Sequence, residues 1–154
     1  MPDTRLVIAG TGPAEEELKN LLPDAHFTGW VDKQTLASLY QGLDLLIFPS
    51  RFDTFGNVII EAMSYGMPVI AYNCKGPADI IQHDKNGFLV ENSSDMGEQV
   101  ICYLNSKQNH SVLSNNAIAR SEDYRAEPIM QQFLQDLGLQ QMPPEDYPVQ
   151  RSVA

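Results

Sequence analysis

Apolar residues in this chain fall into short, nearly continuous runs, separated by stretches in which they recur every three or four positions. The runs are Leu6–Gly10, His26–Trp30, Leu45–Pro49, Val69–Tyr72 and Phe88–Val90. A short apolar run bounded by turn residues reads as a strand buried on both faces. The stretches between them predict helices. Pro13 fits a first helical position, Glu15, Glu16 and Glu17 suit the positive end of a helix dipole, and Leu18, Leu21 and Leu22 form its apolar stripe. Asp32 is the expected N-cap of a helix carrying Leu36, Leu39 and Tyr40 on one face. Asp53 to Gly66 supplies a loop and a helix, and Gly76-Pro77 opens another through Ile80 and Ile81. Asn86-Gly87 marks a turn before the last strand.

Beyond Val90 the pattern is helical only. Asp95 with Glu98 predicts a capping box ahead of Val100, Ile101, Tyr103 and Leu104. A second helix is expected over Val112–Tyr124. A third is expected from Glu127 to about Leu137, with Met130, Phe133, Leu134 and Leu137 on its apolar side. Residues 140–154 hold Pro143, Pro144 and Pro148 without apolar periodicity, so a disordered or loosely attached tail is expected.

Five strands alternating with helices point to an α/β fold, a doubly wound parallel sheet of Rossmann-like type over residues 1–139 with C-terminal helices. Ligands bind such sheets beyond the carboxyl ends of the strands. The loops there are Gly10–Pro13, Trp30–Asp32, Pro49–Asn57 and Asn73–Pro77.

Composition narrows the function. A length of 154 residues with 43% hydrophobic residues suffices for one domain with a core. The net charge of −10 argues against a general nucleic-acid binder, which needs a basic face, and against docking on an anionic membrane. No apolar stretch approaches the roughly 20 residues of a membrane span. Cys74 and Cys102 read as reduced thiols, and with no signal peptide in view a cytoplasmic setting is expected. His26, His83 and His110 lack metal-ligand spacing, and no metal or other cofactor is expected.

The chemistry concentrates between Ser50 and Ile70, where two carboxylates, Asp53 and Glu61, bracket a glycine and a helix start. A helix start after a strand presents unpaired N–H groups and a positive dipole end, which suits a phosphate. Ionised carboxylates only accept hydrogen bonds, which suits sugar hydroxyls. Together they offer what a nucleotide-sugar requires. Asp53 alone also fits a turn or cap residue, and Glu61 alone a solvated helix residue. The ordered run into Ala62, Met63 and Gly66-Met67-Pro68 favours the binding reading. Gly10-Thr11-Gly12-Pro13 lacks the next glycine of a dinucleotide fingerprint, which falls at Glu15, and no acid ends the second strand. A NAD site is therefore excluded, and a plain tight turn stays open.

Asp53-x7-Glu61 followed by Ala-Met-Ser-Tyr-Gly-Met-Pro-Val-Ile resembles the Glu-x7-Glu motif of GT-B glycosyltransferases, in particular the large retaining group called family 4. The first acid is Asp here, one methylene shorter than the family's Glu. The resemblance covers roughly residues 5 to 104 and matches the second, donor-binding domain of such enzymes. It implies transfer of a hexose-type sugar from a nucleotide-sugar with retention of configuration, without a metal. By the same resemblance, Asp53 holds donor-sugar hydroxyls and Glu61 the nucleotide ribose. Amides near Phe55, Gly56, Asn57 and Val58 face the diphosphate, Gly10 and Gly12 line the turn beside the nucleotide, and the backbone at Val31 meets the base. Trp30 fits a core aromatic equally well.

The family's acceptor domain and its upstream Arg and Lys have no counterpart here, and Arg51 and Lys75 are the available substitutes. The strand that precedes Leu6–Gly10 in the family, central in its sheet, is also unmatched. Leu6–Gly10 and Leu45–Pro49 must then pair directly or leave open edges, which invite association. A fragment, a self-associating chain or one completed by an acceptor-domain partner is expected, with a non-catalytic nucleotide-sugar-binding module as the alternative.

Overall fold

The computed structural model describes residues 4–106 and 110–138; the stretch 140–154 lies outside them. Twelve elements follow one another among the described residues: β1 (Val7–Ala9), α1 (Glu15–Leu21), β2 (His26–Gly29), α2 (Lys33–Gly42), β3 (Leu46–Phe48), α3 (Asn57–Ser64), β4 (Val69–Tyr72), α4 (Pro77–Ile80), β5 (Gly87–Val90), α5 (Ser93–Asn105), α6 (His110–Glu122) and α7 (Ala126–Asp136). All five expected strands form, and every ladder is parallel. The chain divides into two compact units at Leu43/Asp44.

In the first unit β1 pairs with β2, Val7 opposite His26 and Ile8 opposite Phe27, with an irregularity between Ile8 and Ala9. Helix α1 starts at Glu15 behind Ala14, so Pro13 stands two residues outside the helix rather than at its first position. None of its residues is buried, and Leu21 is exposed. Asp32 caps α2 as expected: its carboxylate accepts the Thr35 N–H at 2.7 Å, which holds its pKa below the usual carboxylate value.

In the second unit β4 lies between β3 and β5. All four of its residues are buried, so both faces of this strand are covered. Ile70 and Tyr72 join Phe88, Val90, Met96, Tyr103 and Leu113 in one apolar cluster, which places α5 on that face. Side chains alternate along a strand, so Val69 and Ala71 point the other way. Helix α3 also packs on β4, and its buried Ile59, Ala62 and Met63 stand outside that cluster; α3 therefore covers the second face. Each fully buried side chain of this size contributes roughly 1.5–3 kcal/mol. Helix α3 ends in a Schellman pair, Gly66 N–H to Met63 O at 2.9 Å and Met67 N–H to Ala62 O at 3.1 Å.

The two units carry separate sheets among the described residues, β1-β2 in the first and β3-β4-β5 in the second. The cap of α5 also differs from expectation. Asn92 accepts from Ser94 N–H and Asp95 N–H at 2.9 and 3.0 Å, and its amide donates to Asp95 at 2.9 Å. The cap therefore sits one turn before Asp95/Glu98, because Asn92 leaves β5 in an extended conformation while Asp95 is already helical. Helix α7 forms where expected, yet Met130, Phe133 and Leu137 are exposed.

Candidate donor-binding site

The carboxyl ends of β3, β4 and β5 bring three loops together in the second unit. Arg51, after β3, lays its guanidinium over the Tyr72 ring at 3.9 Å and reaches the Glu91 carbonyl at 3.5 Å. Asn73, after β4, donates to the Glu91 carboxylate at 2.8 Å. The Cys74 thiol points to the Ser50 carbonyl at 3.7 Å. Arg51, one of the two substitute cations named from sequence, thus lies at the ligand-facing edge; Lys75 is exposed in the same loop as Cys74.

Asp53 is half-buried, and its carboxylate accepts the Phe55 N–H at 2.9 Å, closing an Asx turn. Its second oxygen remains available as an acceptor. Gly56 follows with φ of 85° as the N-cap of α3, a left-handed conformation that a side chain would strain. Ile59 and Ile60 N–H return to the Gly56 carbonyl at 2.9 and 3.2 Å. The N–H groups of Gly56, Asn57 and Val58 donate to no backbone acceptor among the described residues. These are the orphan donors of a helix start, pointing where the dipole favours an anion.

Glu61 is exposed on α3, four residues after Asn57 and therefore on the same helix face, about 6 Å further along the axis. The buried face of α3 carries Ile59, Ala62 and Met63 instead. Asp53, the three free amides and Glu61 thus occupy one continuous loop-helix segment. Phe52, 96% exposed, and Phe55 add two aromatic surfaces beside the acid.

Gly10, Gly12 and Val31 belong to the first unit. Gly10 N–H donates to the Gly29 carbonyl at 2.8 Å, so the turn after β1 adjoins the turn after β2. Gly12 accepts the Glu15 N–H at 3.1 Å and Val31 is half-buried. Trp30 is 78% exposed, which removes the core-aromatic reading. Among the described residues no group of three or more His, Cys, Asp or Glu is arranged to hold a metal, and no helix is long and apolar enough to cross a membrane.

Residues 1–106 match the family model for glycosyl transferases group 1. The chain belongs to this family. A GDP-mannose-dependent alpha-mannosyltransferase of Corynebacterium glutamicum is 42% identical over 89 residues, 58% of this chain and 22% of that protein. The crystal structure of Anabaena Alr3699/HepE in complex with UDP-glucose superposes with a TM-score of 0.76 at 25% identity, covering 90% of this chain and 42% of the other. The C-terminal domain of a group 1 family glycosyl transferase (LpcC) from Francisella tularensis shares the fold, with a TM-score of 0.72 at 24% identity over 81% of this chain and 72% of that one. The chain spans 22% to 39% of the length of the first curated relatives it matches. It has the Rossmann-like fold of a GT-B C-terminal domain.

Arg120, Tyr124 and the Asn73–Glu91 pair escaped sequence reasoning. Arg120 and Tyr124 carry no motif, and their partners lie about 40 residues upstream.

Proposed function

We propose that this chain is the donor-binding part of a retaining glycosyltransferase and takes a nucleotide-sugar carrying a hexose. The observation that carries this reading is the Asp53–Glu61 segment: three unengaged amides between two carboxylates, at the carboxyl edge of a parallel sheet. In this reading the amides of Gly56, Asn57 and Val58 receive the donor diphosphate. When the anomeric C–O bond breaks, its electron pair stays on that diphosphate, and fixed N–H dipoles stabilise the charge without reorganising. Asp53 holds sugar hydroxyls with its free oxygen, and Glu61 holds the ribose diol. Neither acts as nucleophile. Transfer proceeds without a metal, in keeping with the lack of an Asp-x-Asp motif at any strand end. The acceptor is presented by a domain or partner chain beyond these residues, in a cytoplasmic setting.

The test is calorimetric titration of the full chain with UDP-, GDP- and ADP-sugars, with Glu61→Ala in parallel. Selective binding of one base, weakened about tenfold or more in Glu61→Ala, is expected, because a hydrogen bond to a charged group contributes roughly 1.5–3 kcal/mol. Equal affinity of the two proteins removes the ribose assignment. No binding to a folded chain removes the donor reading.

A further inference from the structure

The short helix α4 ends with carbonyls that it cannot satisfy itself, as every helix does. Helix α6 satisfies two of them. Arg120 donates from Nε to the Ile80 carbonyl at 3.0 Å and from Nη2 to the Asp79 carbonyl at 2.7 Å. The Tyr124 hydroxyl donates to the same Asp79 carbonyl at 2.8 Å and accepts from Arg120 Nη2 at 2.9 Å. Asp123 takes the remaining arm of the guanidinium, Nη1, at 2.8 Å. One planar fork thus ties α6 to α4 through several bonds of fixed direction, which a lysine cannot reproduce.

Helix α4 in turn abuts the acid loop at both ends. At its N-cap, Gly76 lies so close to the Asp53 carbonyl that a Cβ there would stand 2.8 Å from that oxygen. At its other end the Ile80 Cδ1 would stand 2.8 Å from a Cβ on Gly56. The Tyr124 ring also meets the Phe55 ring edge-on, with centroids 6.3 Å apart. Asp53, Phe55 and Gly56 are therefore each buttressed by α4 or by Tyr124.

We propose that Arg120 and Tyr124 are positioning residues for donor binding: through α4 and Phe55 they hold the Asp53–Gly56 loop so that the amides of Gly56, Asn57 and Val58 converge on the donor diphosphate. This rests on the donor-binding reading above. Neither residue touches the donor. Their effect is on how far the loop is organised before the ligand arrives, and binding to a loose loop loses affinity to the ordering it then requires.

The experiment compares the full chain with Arg120→Lys and Tyr124→Phe. Both are small changes that keep, respectively, the charge and the ring against Phe55. Two quantities are read: nucleotide-sugar affinity by calorimetry, and backbone amide ¹⁵N order parameters of residues 54–58 in the ligand-free protein, with residues 96–103 of α5 as internal reference. The expected result is an affinity loss of roughly three- to tenfold in each variant, the scale of one displaced hydrogen bond. Order parameters should fall at residues 54–58 and stay unchanged in α5. Unchanged loop order with unchanged affinity overturns the proposal even if the variants melt earlier, since a merely structural clamp would move only stability. If the parent chain binds no nucleotide-sugar, the donor reading fails, while the loop order parameters still decide whether the clamp positions the loop. Unchanged values overturn it.

Discussion

Asp53 closes its own loop on Phe55: the carboxylate of the first receives the backbone N–H of the second at 2.9 Å. An Asp does this readily because its short side chain reaches the amide two residues on, as in other Asx turns. The acid therefore can serve two tasks, one oxygen shaping the loop and the other left as an acceptor. A carboxamide in its place would keep the first task and lose the charge. Asp53→Asn should unfold within about 0.5 kcal/mol of the parent and bind nucleotide-sugar more weakly. Asp53→Ala should lose about 1 kcal/mol as well. Denaturant titration and calorimetry on the same samples separate the two effects, and equal donor affinity in all three proteins would leave Asp53 with the turn role alone.

Gly76 is one of two close approaches between α4 and the acid loop. Its φ of 92° with ψ of −78° is a conformation that an L side chain rarely adopts, and the atom a Cβ would meet is backbone rather than a side chain that can swing aside. Gly76→Ala should cost about 1–3 kcal/mol and displace Asp53 as the loop yields. Gly12→Ala is the control, because a Cβ there meets nothing within 4 Å; it should unfold within about 0.5 kcal/mol of the parent.

Asn92 caps α5, and Glu98 does not. Replacing Asn92 by Ala removes the acceptor of two first-turn amides and should lower stability by about 1 kcal/mol, a shift of the melting midpoint of about 2–4 °C for a chain of this size. Glu98→Ala, on the exposed side of the same helix, should change the midpoint little. The opposite ranking by thermal melts would restore the box at Asp95 and Glu98.

These cases show what was legible in the order of residues. The five strands were, because each is a short apolar run, and β4 is buried on both faces as such runs imply. The Asp32 cap was legible because it depends on residues three apart. Asn92 was missed because Asp95 and Glu98 satisfy the same local rule one turn later, and only the point at which β5 ends decides between them. The exposure of Trp30 could not be read from an aromatic beside a glycine, since core and surface aromatics share that signal. The Asp53–Glu61 segment could be placed at a strand end because loop, glycine and helix follow in order. Its buttress could not, because Arg120 and Tyr124 meet Asp79 and Ile80 across about 40 residues and nothing local marks them.

Tyr103 gives the chain an alkaline limit. Its ring lies in the apolar cluster, its hydroxyl donates to the Asp44 carbonyl at 2.9 Å, and His110 stacks on it with centroids 4.2 Å apart. Burial first, and the Asp44 carboxylate second, push its pKa from 10 up to about 12. The folded state therefore keeps the phenol proton over a range in which the unfolded chain has released it. The stabilisation is fully present below pH 10 and is lost as the pH rises towards 12. With allowance for partial solvent screening the loss is roughly 1–2 kcal/mol. Tyr124 shifts in the same direction, chiefly through burial, so Tyr103 accounts for part of the slope. Tyr103→Phe should be about 1 kcal/mol less stable than the parent at neutral pH, through loss of the bond to Asp44. Between pH 10 and 12 it should lose stability less steeply. Denaturant midpoints measured across that window check both statements, and parallel slopes for the two proteins would show that Tyr103 titrates alike in the folded and unfolded chains.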